Sequence, residues 1–470
     1  MVAFLLFDSI EAYIWPEISV CLFIVSTFQS QRFMRPLFWI TISLMSFFPT
    51  FVAAAQTVDS VKVTFPQVEE IFLRNNYSLL AQRYNIASSE GAIKQARLWN
   101  NPLFFIESNL YNPINGKLFN YGPINKSKGE NFNWGDGKQV NGTLSLQLNQ
   151  LLLTAGKRSK MVHLAEDNKD IQLAIFSDLL RALHYDLYQA FILLYYDIES
   201  IKLLREEESQ LVSLIDIELI ALNRGAVSGY EVLRLQFELQ DIRKSIKEQQ
   251  DEEADDENTL RVLLSSDPFT FYVPQLLLGE PEPTLFVNQL VDSALTNRPE
   301  IKITQYNLDY NKTNISLQKA YSIPDLNLGG TYDRSGNAYY NYTGINMAIN
   351  LPLFNRNQGN IRIAEQQFQQ AQIQRKQTEF NIKEDVVKAY QKWQNSRQQK
   401  NMIQPQYEQN LLDISQSATE SYNKRTIGLL DYLDKIKTAR NAQLNLFNLQ
   451  QSLSLSREFI NFTTNSKVFK

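Results

Sequence analysis

Two carboxylates three residues apart, Asp431 and Asp434, are where this sequence places acidic groups together. Residues at that spacing share one face of a helix, so the pair makes a local concentration of negative charge. They follow at once on a polar turn, Asn423–Gly428, in the stretch SYNKRTIGLLDYLDKIKTAR (421–440). A plainer reading stands beside this one: an Asp in the first turn of a helix suits the macrodipole, and Asp431 comes just after Gly428. The same design recurs about 200 positions earlier, in ALNRGAVSGYEVLRLQFELQ (221–240). Arg224, Gly225, Ser228 and Gly229 in one stretch, and Lys424, Arg425, Thr426 and Gly428 in the other, are types that make turns. Both stretches read as tips of long antiparallel helical hairpins.

Other candidates for chemistry are weaker. The acidic run Asp251–Glu257 lacks the carbonyl-bearing loop spacing of a cation site and reads as a solvated helix face. His163 and His184 are distant singletons with no cysteine or second histidine nearby, so no metal site is expected. No phosphate-binding glycine loop, nucleophile elbow or H-E-x-x-H helix occurs, and no enzyme or cofactor is expected.

The elements that must position the tips are long. With 470 residues the chain could hold two or three ordinary domains or one elongated one. A net charge of −4 gives no support for nucleic-acid binding. No stretch in the body of the chain reaches the length of apolar sequence that a transmembrane helix needs. Near the start, Arg32 and Arg35 precede an apolar run, Leu37–Val52, and then Ala53-Ala54-Ala55. That order is a signal peptide cut before Gln56, with a membrane anchor as the alternative. Upstream, Asp8, Glu11 and Glu17 interrupt the apolar residues, and Met34 is an alternative start. Cys21 is the only cysteine; no small residue precedes it, so no lipidation is expected. The exported protein then has no disulfide framework.

The chain repeats itself. Phe65–Pro102 aligns without gaps to Val287–Pro324, placing Leu73 on Leu295, Asn75 on Asn297 and Tyr84-Asn85 on Tyr306-Asn307. Further on, Ala165-Glu166 matches Ala364-Glu365, Tyr188-Gln189 matches Tyr390-Gln391, and Asn223 matches Asn423. The expected division is an N-terminal extension and signal peptide (1–55), a first repeat (56–273), a linker (274–284) and a second repeat (285–464). The first repeat holds a helix (66–98), a β-hairpin (103–152) and a helical hairpin (155–264); the second holds a helix (285–321), a β-hairpin (325–353) and a helical hairpin (357–462).

In the hairpins, Leu144, Leu146 and Leu148 alternate with Ser145, Gln147 and Asn149, and Ile345, Met347 and Ile349 alternate with Asn346, Ala348 and Asn350. Membrane β-barrel strands alternate in this way, and so does a soluble half-buried sheet. The Asn- and Tyr-rich loops Asn112–Lys138 and Arg334–Tyr342 favour the barrel. Each strand pair lies between long helices with no other strand to pair with. Four strands cannot close a barrel and open edges are not tolerated in lipid, so several chains must contribute. The long helical runs, 155–223 and 357–424, are each about 100 Å at 1.5 Å per residue. Leu204, Leu211, Ile215 and Leu222, and Leu433, Ile436, Leu444 and Phe447, keep the spacing of coiled-coil packing.

From Val61 to Thr464 this order resembles the TolC-like outer-membrane efflux family. Ala96–Glu107 (ARLWNNPLFFIE) resembles the approach to that family's first strand, chiefly in its heavy-metal and cation-efflux branch. Asn350–Phe354 (NLPLF) with Gly359 resembles the exit from its fourth strand, and Tyr422–Leu433 its tip and D-x-L-D pattern. The resemblance implies a mainly α fold with a membrane β-barrel contribution: a homotrimer with four strands per chain, a twelve-stranded barrel and a periplasmic α-helical tunnel. It implies an outer-membrane location in a Gram-negative cell, surrounding lipid, a periplasmic adaptor, and an inner-membrane pump of the resistance-nodulation-division type. Export is then passive. Asp431 and Asp434 match the aspartates that ring the closed mouth, although Tyr432 replaces a small apolar residue between them. Arg224, Gly225, Ser228, Gly229, Lys424, Arg425, Thr426 and Gly428 match the adaptor-contact tips. A protein-secretion exit duct and a pore-free coiled-coil spacer are the alternatives.

Overall fold

The computed structural model describes residues 59–112, 117–118, 143–276, 283–335, 339–403 and 406–469. The signal peptide, Cys21 and most of the Asn112–Lys138 loop lie outside the described residues.

Strand β1 (Asp59–Thr64) leads into α1 (Phe65–Asn75) and α2 (Tyr77–Arg97). Strand β2 (Leu103–Ser108), the two-residue strands β3 (Tyr111–Asn112) and β4 (Lys117–Leu118), and β5 (Thr143–Leu152) follow. Next come the 67-residue α3 (Lys157–Asn223), α4 (Gly229–Leu264) and β6 (Thr270–Gln275). The same order returns as α5 (Val287–Asn297), α6 (Pro299–Tyr321), β7 (Leu326–Ser335), β8 (Tyr339–Ile349), α7 (Gln358–Met402), α8 (Tyr407–Asn423) and α9 (Leu429–Thr464).

Four expectations are corrected. The helices expected over 66–98 and 285–321 each break after an 11-residue first segment, about three turns in. Asn76 caps α2, its Oδ1 accepting from Leu79 N at 3.1 Å while Nδ2 donates to Leu263 O at 2.8 Å. In the second half Pro299 opens α6; proline is pre-organised for a helix start but removes a donor from a helix interior. The run expected over 357–424 is interrupted between Met402 and Tyr407, where Pro405 stands in the sequence. The strand pairs do have other strands to pair with: β5 pairs with β7, giving one antiparallel sheet in the order β2-β5-β7-β8. Finally, Pro274 and Gln275, expected as linker, end β6, which pairs in parallel with β1. A two-stranded edge tolerates Pro274 because one side of its backbone needs no ladder partner.

The sheet has two chemically distinct faces. One register row runs Phe104, Leu148, Gly330, Ile345, and the next row on that face runs Ile106, Leu146, Tyr332, Thr343. The opposite face carries Gln147 with Thr331, and Asn149 and Asn346 on either side of Gly329. A side chain at Gly329 would collide with both asparagine amides. The apolar face is bare, with Ile345 92% exposed.

Below the sheet the helices bury their apolar stripes in three clusters. Phe72, Leu187, Phe191, Leu194 and Leu260 fill the first, around α1, α3 and α4. Leu204, Leu211, Ile215, Leu235, Ile242, Leu433 and Ile436 form the second, which joins the two helical hairpins near their tips. The third holds Leu290, Ile382, Val386, Trp393 and Ile460. Each such side chain contributes about 2 kcal/mol when fully buried.

Candidate gate and docking tips

Both tips are built by one backbone recipe. At the end of α3, Gly225 N donates to Leu222 O and Ala226 N to Ala221 O, each at 2.9 Å, around Gly225 at φ +70°. At the end of α8, Arg425 N donates to Tyr422 O at 2.8 Å and Thr426 N to Ser421 O at 2.9 Å. Here the left-handed position, φ +57°, is held by Arg425 itself. A side chain there costs about 1 kcal/mol relative to glycine, so something must offset it.

Arg425 reaches across to the other hairpin. Its guanidinium lies 2.9 and 3.1 Å from the two oxygens of Glu218 on α3. Tyr422 OH donates to the same carboxylate at 3.1 Å and its ring stacks on Tyr432, centroids 4.9 Å apart. Glu218 is buried while Arg425 is half-exposed, so the bond closes over the carboxylate like a cover. Burial, and then the Glu218 charge, push the Tyr422 hydroxyl up to about 12.

The structure places Asp431 and Asp434 on the exposed side of α9, with Tyr432, Leu433 and Ile436 buried behind them. No ion pair reaches either carboxylate among the described residues. Arg224 caps α3, and Ser228 caps α4 with its hydroxyl accepting from Glu231 N at 3.3 Å; Gly229 opens that helix. Lys424 lies 3.4 Å from Glu420, Thr426 Oγ1 donates to Ser421 O at 2.9 Å, and Gly428 opens the approach to α9 without a side-chain cap. The structure therefore groups the tip candidates by hairpin and ties one of them, Arg425, inward.

A second bridge lies further up α9. Arg440 donates to Glu207 of α3 at 3.0 Å and to Glu238 of α4 at 3.1 Å. Burial, helped by the neighbouring Glu238 charge and opposed by Arg440, pushes Glu207 up to about 7. Glu218, Tyr422, Glu207, Glu238 and Arg440 were not singled out from the sequence. The available signal was Glu218 itself, on the i+4, i+7 stripe of Leu211 and Ile215 where an apolar residue belongs. His184 is set between Glu69 at 3.2 Å and Glu458 at 3.5 Å, and the hydrogen bond to Glu458 raises its pKa above the ordinary imidazole value.

Comparison with known proteins is consistent with this architecture. Across 86% of the chain the structure matches the outer membrane protein VceC of Vibrio cholerae (TM-score 0.66, 16% identity, 96% of that chain). It also matches the Campylobacter jejuni CmeC outer membrane channel (TM-score 0.66, 16% identity, 85% of each chain). The chain has the fold of these outer-membrane channels. Residues 290–462, from α5 to the end of α9, match the outer membrane efflux protein family. A stretch of 163 residues is 25% identical to the cobalt-zinc-cadmium resistance protein CzcC of Cupriavidus metallidurans. That stretch spans 33% of this chain and 37% of CzcC. In this chain α3 begins just after β5 and runs 67 residues to the first tip, which therefore stands at the end of that helix remote from the sheet.

Proposed function

We propose that this chain is one subunit of a homotrimeric outer-membrane channel, the passive exit of a tripartite efflux system. The observation that carries the proposal is the sheet: among the described residues β2 and β8 are both open edges, and one face is bare and apolar. Unpaired edges are excluded from lipid, so the sheet must be completed by other copies. Three copies of four strands give a closed twelve-stranded barrel, with Gln147, Asn149, Thr331 and Asn346 facing water inside. The halves 56–273 and 285–464 are read as duplicated repeats.

Asp431 and Asp434 are proposed as the constriction. Three-fold symmetry gathers six carboxylates there, attracting cations and repelling anions. The Glu218–Tyr422–Arg425 cluster holds the hairpins together behind them. The exposed tip residues, Arg224, Gly225, Ser228 and Gly229 with Lys424, Thr426 and Gly428, are proposed to meet a periplasmic adaptor, and through it a pump of the resistance-nodulation-division type. The partial likeness to CzcC and the aspartates together favour a cationic cargo.

Single-channel recording in planar bilayers tests this, wild type beside Asp431→Ala/Asp434→Ala. Small cation-selective steps that enlarge and lose selectivity in the variant are expected. Steps identical in both proteins would move the gate elsewhere; no steps after confirmed insertion would leave a pore-free scaffold.

A further inference from the structure

About 40 Å from the tips, measured as 26 residues of α3 at 1.5 Å each, the helices open a cleft of about 370 Å³. It lies between Tyr196–Ser200 of α3, Gln249–Asp256 of α4, and Asn448 and Gln451 of α9. The acidic run of α4 lines it. The sequence reading of that run as a solvated face holds only in part: Glu257 is buried, and Glu253 and Asp256 are half-buried.

Asp197 is the informative residue. Its side chain is on an unbroken stretch of α3 and only 7% of the residue is exposed. One oxygen, Oδ1, accepts from Gln249 Nε2 at 2.8 Å. The other, Oδ2, is buried and has no protein donor. Its neighbour is the carboxyl of Asp256, which can bond to it only if one of the two holds a proton. Burial first, and then each other's presence, push Asp197 up; Asp256 rises mainly by burial. A buried acceptor without a donor is a costly arrangement that native proteins avoid unless something fills it.

The walls say what kind of group fits. Glu252 and Asp255 are exposed at the rim, so acidic groups stand in two tiers, one deep and one shallow. Among the described residues, no lysine or arginine lines the cleft. The α9 side adds only amides, Asn448 and Gln451, whose oxygens accept. Among the described residues, no group of three or more His, Cys, Asp or Glu side chains converges closely enough to hold a metal ion. Recognition therefore has to come from N–H donors spread along a ligand rather than from a coordinated ion.

We propose that this cleft binds a small organic polycation, a linear di- or triamine, with one ammonium between Asp197 and Asp256 and another at Glu252 and Asp255. The deep ammonium supplies the donor that Asp197 Oδ2 lacks and removes the need for a shared proton. Bound there, the ligand bridges hairpin one to α9. It lies about 40 Å from the tips along α3, and its argument uses none of the tip residues.

Isothermal titration of the full-length detergent-solubilised protein with spermidine tests the site, with magnesium chloride at equal ionic strength as the comparison. A saturable heat with spermidine, at lower concentration than any response to magnesium, is expected. Asp197→Asn removes one charge-assisted bond and should weaken binding about ten-fold. If that variant does not fold, Asp256→Asn, at a half-exposed position, serves in its place, with Glu252→Gln/Asp255→Asn testing the rim. Absence of saturable binding to wild type, an equal response to magnesium, or unchanged affinity in Asp256→Asn would each overturn the proposal.

Discussion

The two hairpin tips have the same backbone and opposite uses of their side chains. The first is self-contained. Gly225 takes the left-handed position without strain, and Ser228 and Glu231 satisfy each other's backbone donors in a reciprocal cap, at 3.3 and 3.0 Å. The second does neither. Arg425 occupies the left-handed position, Gly428 offers no cap, and Asp431, which stands where Glu231 does, is exposed and makes no ion pair among the described residues. Asp434 likewise stands where the first tip has Arg234, so the second tip carries two uncompensated charges at positions where the first carries one of each sign. One tip spends its polar groups locally; the other turns them outward and across.

Breaking the cross-hairpin bond should have the largest effect. Glu218→Gln leaves Arg425 and Tyr422 with a weakened acceptor in a buried spot and should cost about 2 kcal/mol locally. Hydrogen exchange should accelerate over 415–430 and not over 215–230, because the first tip holds itself. Equal acceleration in both would remove the asymmetry. In the Glu218→Gln background, Arg425→Gly should recover about 1 kcal/mol by relieving the left-handed residue, whereas Gly225→Arg in wild type should lose about as much. Urea denaturation of wild type and the three variants gives both numbers, and a loss on Arg425→Gly in that background would mean Arg425 has another partner.

Acidity sharpens the comparison further up. Glu207 sits near 7 in the folded protein against 4.5 ordinarily, so the native state keeps its proton where the unfolded chain has lost it. Its contribution is present below 4.5 and lost as the pH rises to about 7. Glu207→Gln should flatten that part of the stability profile, measured by denaturant midpoints. The smallest effect is expected from Gly428→Ser, which gives the second tip the cap residue of the first. A gain of a few tenths of a kcal/mol is expected, with reduced cation selectivity as Asp431 is drawn into the cap. Unchanged selectivity would separate Asp431 from the conducted path.

How much of this could be read from residues alone follows from what each feature depends on. The long helices, the alternating strands and the tip positions are periodic or turn-forming patterns, legible without knowing their neighbours. Asn76, Pro299 and Pro405 each carried a local signal for a helix break, but an apolar pattern running through them masked it. The β5–β7 pairing could not be seen, because it joins strands separated by the whole first helical hairpin. Asp431 and Asp434 were legible as a pair. Glu218 was not assigned, since its meaning rests on Arg425 and Tyr422, some 200 positions away.

The uninterrupted length of α3 has a mechanical consequence. At 67 residues it is about 100 Å of stiff rod, anchored beside the sheet by the buried Lys157, which bonds Asp325 at 2.7 Å. Such a rod is a lever: rotation by about 2° at the anchored end would carry its far end some 3–4 Å, about the width of a water molecule and more than the length of a hydrogen bond. The corresponding arm of the second half is not one rod: α7 ends at Met402 and α8 begins at Tyr407, so no single helix carries a rotation from its sheet end to its tip.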